Sequence, residues 1–123
     1  MIKLVYCLRR LPNLSREEFQ HYWWDTHGPL VRHRAQALAI RRYVQVHTLD
    51  SPLNELLRQS RDAEEPFDGV AELWWDSAET FAQATATLEG REAARELLED
   101  ERRFIDFARS VIFIAQERPV VDG

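Results

Sequence analysis

Phe19-Gln20-His21-Tyr22-Trp23-Trp24-Asp25-Thr26-His27-Gly28-Pro29-Leu30-Val31 is the stretch around which this chain is organised. Phe19, Tyr22 and Trp23 fall at i, i+3 and i+4, so a helix puts them on one face. A helix that only filled a core would use Leu and Ala instead. The aromatics lead to His27 and then to Gly28-Pro29. A positive φ at Gly28 would stop the helix there, and Pro29 suits the first turn of a second one, running to about Leu38 and burying Leu30 or Val31 with Ala35 and Leu38. An aromatic wall ending in one titratable group has the make-up of a small-molecule site. Just upstream, Ser15-Arg16-Glu17-Glu18 reads as a capping box, with Leu14 and Phe19 placed as a hydrophobic staple.

Outward from this helix the pattern alternates. Ile2 to Arg9 reads as an inner strand, apolar on both faces, stopped by Pro12-Asn13. Arg41 to Leu49 reads as a second strand, with Val44 and Val46 on one face and Tyr43, Gln45 and His47 on the other. Ser51-Pro52 opens a short helix carrying Leu53, Leu56 and Leu57, and Gln59 to Pro66 reads as a charged loop. Gly69 to Trp75 is the third strand. Asp76-Ser77 caps a helix with Phe81, Ala84 and Leu88 on one face; Gly90 interrupts it, and a helix resumes over Arg91 to Arg103. Asp106 to Ser110 is a turn, and Val111 to Gln116 a fourth strand. The order β-α-β-β-α-β, with both helices split, predicts an α+β ferredoxin-like fold: a four-stranded antiparallel sheet with helices on one face. The other face is left bare. Placing Tyr43 and either Trp74 or Trp75 there predicts a partner sheet from a second copy, hence a homodimer.

Composition narrows the function. The 123 residues suit one domain. A net charge of −5 argues against nucleic acid, which needs a basic surface. No apolar run approaches a membrane span, and Met1 to Leu8 is too short for a secretory signal. The single cysteine, Cys7, excludes an intrachain disulfide and suits a reducing cytoplasm. His21, His27 and His33 are six residues apart, which is not a one-face helical pair, so no metal site is expected. Neither a phosphate-binding glycine loop nor a nucleophile elbow occurs, and no cofactor is expected.

Phe19, Trp23 and His27-Gly28-Pro29-Leu30, then Arg42-Tyr43, Asp68-Gly69 with Ala71-Glu72-Leu73-Trp74, and Phe104-Ile105-Asp106 before Arg109-Ser110, resemble the EthD domain of the dimeric α+β barrel superfamily. The resemblance spans nearly the whole chain and leaves Asp50 to Pro66 as a variable insertion. It implies one EthD-like domain over residues 1–123. EthD-like proteins are associated with degradation of fuel ethers and with polyketide-type dehydration or cyclisation. In a related branch, the methylmuconolactone isomerases, a histidine near the end of the first helix and a tyrosine on the second strand correspond to His27 and Tyr43. Where that branch uses a cysteine on the third strand, this chain has Leu73.

His27 is the candidate base, since an ordinary imidazole titrates near neutrality. Tyr43 is the candidate donor to a developing oxyanion, and Asp106 the candidate to orient His27. Trp23, Trp24, Gln45, His47, Glu72 and Trp74 are candidates to line the pocket, the facing of Glu72 being left open by the strand's apolar neighbours. The leading expectation is a cofactor-independent lyase or isomerase, a dehydratase or cyclase acting by proton transfer on a small hydrophobic or aromatic oxygenated metabolite. Two other readings stand beside it: a non-catalytic binding or accessory protein, and a cofactorless monooxygenase. On all three, His27 is expected beside a cavity on the bare face of the sheet.

Overall fold

A computed structural model describes all 123 residues. The elements are β1 (Ile2–Leu8), α1 (Arg16–Tyr22), a π-helical turn (Trp23–His27), α2 (Gly28–Arg34), β2 (Arg42–His47), α3 (Pro52–Arg61), β3 (Gly69–Trp75), α4 (Ala78–Ala86), α5 (Leu88–Glu101) and β4 (Val111–Ala115). The strands form one antiparallel sheet in the order β2-β3-β1-β4, the ferredoxin-like arrangement, with both edges open. β1 pairs on both edges and is the inner strand expected of it. The Ser15 cap forms with both hydrogen bonds of the box.

Register fixes which side chains meet the helices. Leu8, Tyr6 and Leu4 of β1 stand opposite Gly69, Ala71 and Leu73 of β3, which stand opposite His47, Gln45 and Tyr43 of β2. This set lies under the helices: Leu8 and Ala71 are buried with Phe19, Trp23, Phe104 and Ile105 in one cluster. Val31, Leu38, Ala93 and Leu97 form a second. Tyr43 and Leu73 pack against both, at the seam.

The expected placement of the second strand's faces is therefore reversed. Tyr43, Gln45 and His47 turn toward the helices; Val44 and Val46 lie on the bare face with Val5, Cys7, Val70, Glu72 and Trp74. Alternation alone divides a strand into two sets. It cannot say which set is inward when the inner set is the more polar one. Glu72 pairs with Lys3 at 3.1 Å. Trp74 is covered by the Lys3 and Arg42 cations at 4.9 and 4.7 Å from its ring, and its Nε1 donates to Glu117 at 2.8 Å.

The chain also does not stop at Gly28, whose φ is −55°. The helix instead widens by one residue: the Gly28 N–H bonds the Trp23 carbonyl, an i→i+5 step. Pro29 supplies the reason, because it has no N–H for the carbonyl four residues back and its ring would collide with that carbonyl in a tight α-turn. Gly28 favours closeness: a Cβ there would sit 3.3 Å from Gln45 Nε2, which would have to shift slightly. Gly69 acts likewise, since a Cβ would lie 2.4 Å from the Trp23 ring. The later helix breaks at Thr87, which caps α5 through the Gly90 N–H, three residues before the expected interruption.

Asp68 locks α1 to the sheet. It is buried and accepts from the Arg10 backbone N–H at 2.8 Å, the Arg10 guanidinium at 2.6 Å and Arg16 Nε at 3.0 Å. Burial would raise its pKa, but these donors hold it below the usual carboxylate value. Because Arg16 opens α1, this clamp sets the height at which Trp23 and His27 meet the sheet.

Candidate functional site

At the seam between the two core clusters lies a cavity of about 50 Å³. Tyr6, Tyr43, His27 and Glu101 border it, with Leu8, Trp23, Val31, Ala71, Leu73, Leu97 and Ile105 as the apolar wall. It sits between sheet and helices. His27 thus lies beside a cavity, but under the helices and not on the bare face, because the set of β2 residues carrying Tyr43 is the inward one.

His27 is 5% exposed, and its Nδ1 is 2.7 Å from Asp100 Oδ2. Asp106 does not hold it. The Asp106 backbone instead bonds Arg9 and Ser110, as the turn before β4 requires. Asp100 also accepts, on Oδ1, from the Tyr22 hydroxyl at 2.6 Å and from Arg103 at 3.0 Å. Burial alone would raise the Asp100 pKa; the bonds from Tyr22, His27 and Arg103 outweigh it and keep the group ionised. An ionised carboxylate only accepts, so His27 carries its proton on Nδ1 and leaves the Nε2 lone pair free. Nε2 has no hydrogen-bond partner, yet the one fully enclosed side-chain nitrogen or oxygen without a partner is Arg58 Nε. Nε2 therefore borders open space. Burial lowers the His27 pKa against the opposing pull of Asp100, so the ring is neutral at pH 7.

Tyr43 is set by its neighbours on β2. Gln45 Nε2 donates to the Tyr43 oxygen at 2.8 Å and to the Trp23 carbonyl at 2.9 Å. Gln45 Oε1 meets His47 Nε2 at 2.8 Å, and the His47 ring stacks on Trp23 at 4.6 Å. With its oxygen already accepting, the Tyr43 hydroxyl proton is available to a ligand. Burial pushes its pKa up to about 12, so it stays a donor. Glu101 and Tyr6 border the same inner cavity, close enough to shift each other's titration. Burial, with the nearby Asp100 charge, raises the Glu101 pKa to about 7 against the opposing pull of the Tyr6 hydroxyl. Burial and Glu101 together raise that of Tyr6.

A second, larger space of about 480 Å³ opens beside the first and shares Val31 and Tyr43 with it. Trp24, Gln45, Pro29 and Arg32 border it. It is within the range of small-molecule pockets, whereas the inner cavity takes only the few atoms at the reacting end of a ligand.

Of the residues expected at a site, His27, Tyr43 and Trp23 meet at the inner cavity, while Gln45 and Trp24 border the outer one. His47 supports Gln45 and Trp23 without bordering either space. Glu72 and Trp74 lie on the opposite face of the sheet. The sequence offers no reading of Asp100, Glu101 or Tyr6 as site residues, and Tyr22 enters it only as part of the aromatic wall. The signal for Asp100 was its phase: Ala93, Leu97 and Asp100 are buried on one face of α5. No group of three or more His, Cys, Asp or Glu side chains is arranged to hold a metal ion, and no helix is long and apolar enough to cross a membrane.

The sequence profile of the EthD domain matches residues 11–108. An ethyl tert-butyl ether D (EthD) family protein from Bacillus halodurans C-125 is 24% identical, with a TM-score of 0.63 over 96% of this chain and 99% of its own. SnoaB, a cofactor-independent oxygenase from Streptomyces nogalater, is 13% identical with a TM-score of 0.57, over 99% and 97%. A dimeric ferredoxin-like protein of unknown function from Thermobifida fusca YX is 13% identical with a TM-score of 0.57, over 94% and 90%. At these identities the structural likeness carries the fold alone. No curated protein matches the sequence.

Proposed function

This chain belongs to the EthD family, and on that premise we propose that it is a cofactor-independent lyase or isomerase, of dehydratase or cyclase type, acting by proton transfer on a small apolar oxygenated metabolite. One observation carries the reading. A buried, neutral histidine, held through Nδ1 by an ionised Asp100, borders an apolar cavity shared with a tyrosine whose oxygen is already an acceptor. In such a site His27 Nε2 takes a proton from the carbon next to a carbonyl. Tyr43 donates to the oxygen on which charge develops, and Asp100 stabilises the imidazolium. The base contributes roughly 10²–10⁴-fold and the oxyanion donor a comparable factor, both strengthened where water is excluded. The body of the ligand lies in the outer pocket, its reacting carbon reaching past Tyr43.

We assign the chain a single domain over residues 1–123 and a homodimeric state. The bare face, with Val44, Val46, Val70 and Val5, is the surface a second copy covers. Val46 is 44% exposed in the isolated chain.

The likeness in fold to SnoaB favours one other reading, a cofactorless monooxygenase. The two separate on oxygen. The probe is the β-hydroxy derivative of α-tetralone, which loses water to give fluorescent α-naphthol. Formation of α-naphthol by wild type, equal in air and under argon and lost in His27→Gln, supports the lyase. No turnover of the probe counts against it, and oxygen uptake with substrate would favour the oxygenase.

A further inference from the structure

His27, Tyr43 and Asp100 account for removing a proton from carbon and holding the resulting oxyanion. They leave one group in the same cavity unused. Glu101 is an acidic side chain at the C-terminal end of α5, largely enclosed, without a cationic partner, and bordering the same space of about 50 Å³ as His27. The titratable groups around it are Tyr6 of β1, Tyr43 of β2, His27 of the π-turn and its chain neighbour Asp100. None of these is a cation at neutral pH. A carboxyl placed so has two uses: to anchor Tyr6, or to carry a proton. The first needs only an acceptor, which a neutral amide supplies without the cost of enclosing an acid.

We infer that Glu101 is the general acid of this site, giving its proton to the oxygen that leaves the substrate. The inference rests on the lyase reading above. His27 Nε2 takes the proton from the carbon beside the ketone, and the electron pair forms an enolate that Tyr43 holds. The pair returns, the bond from the β carbon to its hydroxyl breaks, and that oxygen takes the Glu101 proton and departs as water. Glu101 is left as carboxylate and His27 as imidazolium, and exchange with solvent restores both. The cavity between them has room for one departing water. A pKa of about 7 means that roughly half of Glu101 holds its proton at neutrality, which is what an acid partner to a neutral histidine needs.

The test separates the two proton transfers. α-Tetralone in D₂O reports proton removal alone, by exchange of its hydrogens beside the ketone. Its β-hydroxy derivative reports the whole dehydration, as α-naphthol. Glu101→Gln keeps an acceptor for Tyr6 and is expected to retain exchange within about threefold while losing about 10²-fold or more of dehydration. Glu101→Asp recovers part of it. In wild type, dehydration falls as pH rises above about 7, while exchange does not. Dehydration in Glu101→Gln near the wild-type rate overturns the assignment. So does equal loss of both reactions, which would make Glu101 a structural residue. Wild-type exchange without dehydration also overturns it, leaving the base role of His27 intact. No wild-type exchange removes the lyase reading itself.

Discussion

Glu101→Gln also makes a prediction about stability that needs no substrate. The Glu101 pKa is raised from 4.5 to about 7 in the folded chain. The folded state therefore binds more protons than the unfolded chain between these values, and stability falls as pH rises through that window. Below pH 4.5 the carboxyl is protonated in both states and contributes no titration penalty. Above about 7 the full difference is felt. At about 1.4 kcal/mol per unit, the penalty approaches about 3 kcal/mol, a large share of a small domain's stability. Glutamine cannot titrate. Urea denaturation of wild type and variant at pH 4, 6, 7 and 8.5 isolates the term as a difference, because every other titrating group is common to both. The variant's stability relative to wild type should rise by about 3 kcal/mol between pH 4 and 8.5, most of it by pH 7. A difference that stays flat across pH would show that Glu101 ionises freely and that its enclosure has no electrostatic consequence.

Three further outcomes follow from the geometry. Asp68→Ala leaves Arg10 and Arg16 without their shared acceptor at the end of β1, and should lower stability by about 2 kcal/mol in thermal or urea unfolding; a change below about 0.5 would remove Asp68 as the clamp. The His27 ring should titrate below the ordinary 6.5 in an NMR pH series. Asp100→Asn, by removing the one charge that favours the imidazolium, should lower it further; a rise would contradict the pairing. Wild type should sediment as a dimer at micromolar concentration and Val46→Lys, on the bare face, as a monomer, whereas a monomeric wild type would leave that face without the proposed cover.

Fold and site were legible to different depths. The order of elements follows from alternation in the strands, the Ser15 capping box and the turn residues, all local signals. The inner place of β1 follows from its apolar faces. The orientation of β2 was not legible, because Tyr43, Gln45 and His47 are more polar than Val44 and Val46 and yet face inward. Gln45 donates to the Trp23 carbonyl and Tyr43 and meets His47 with its oxygen, so its inward amide is fully paired. Reversing that strand moved the expected cavity to the other side of the sheet and took Glu72 and Trp74 with the bare face. The π-turn was hidden because Gly-Pro is read first as a stop, whereas widening the helix by one residue satisfies the same proline. The partner of His27 was misassigned by proximity to the last strand. Asp106 lies in a turn, and the carboxylate that reaches the ring is Asp100, one helical turn after the buried Leu97. A charged residue in phase with an apolar face was the available sign.

The central claim is that His27 removes a proton from carbon. Exchange of the hydrogens beside the ketone of α-tetralone, followed by NMR in D₂O, measures that event alone. Wild type should accelerate the exchange above buffer, and His27→Gln, with its unfolding midpoint unchanged, should lose about 10²-fold or more of the acceleration. Exchange at the wild-type rate in His27→Gln would show that the buried histidine only fills and pins the core, and would contradict the account.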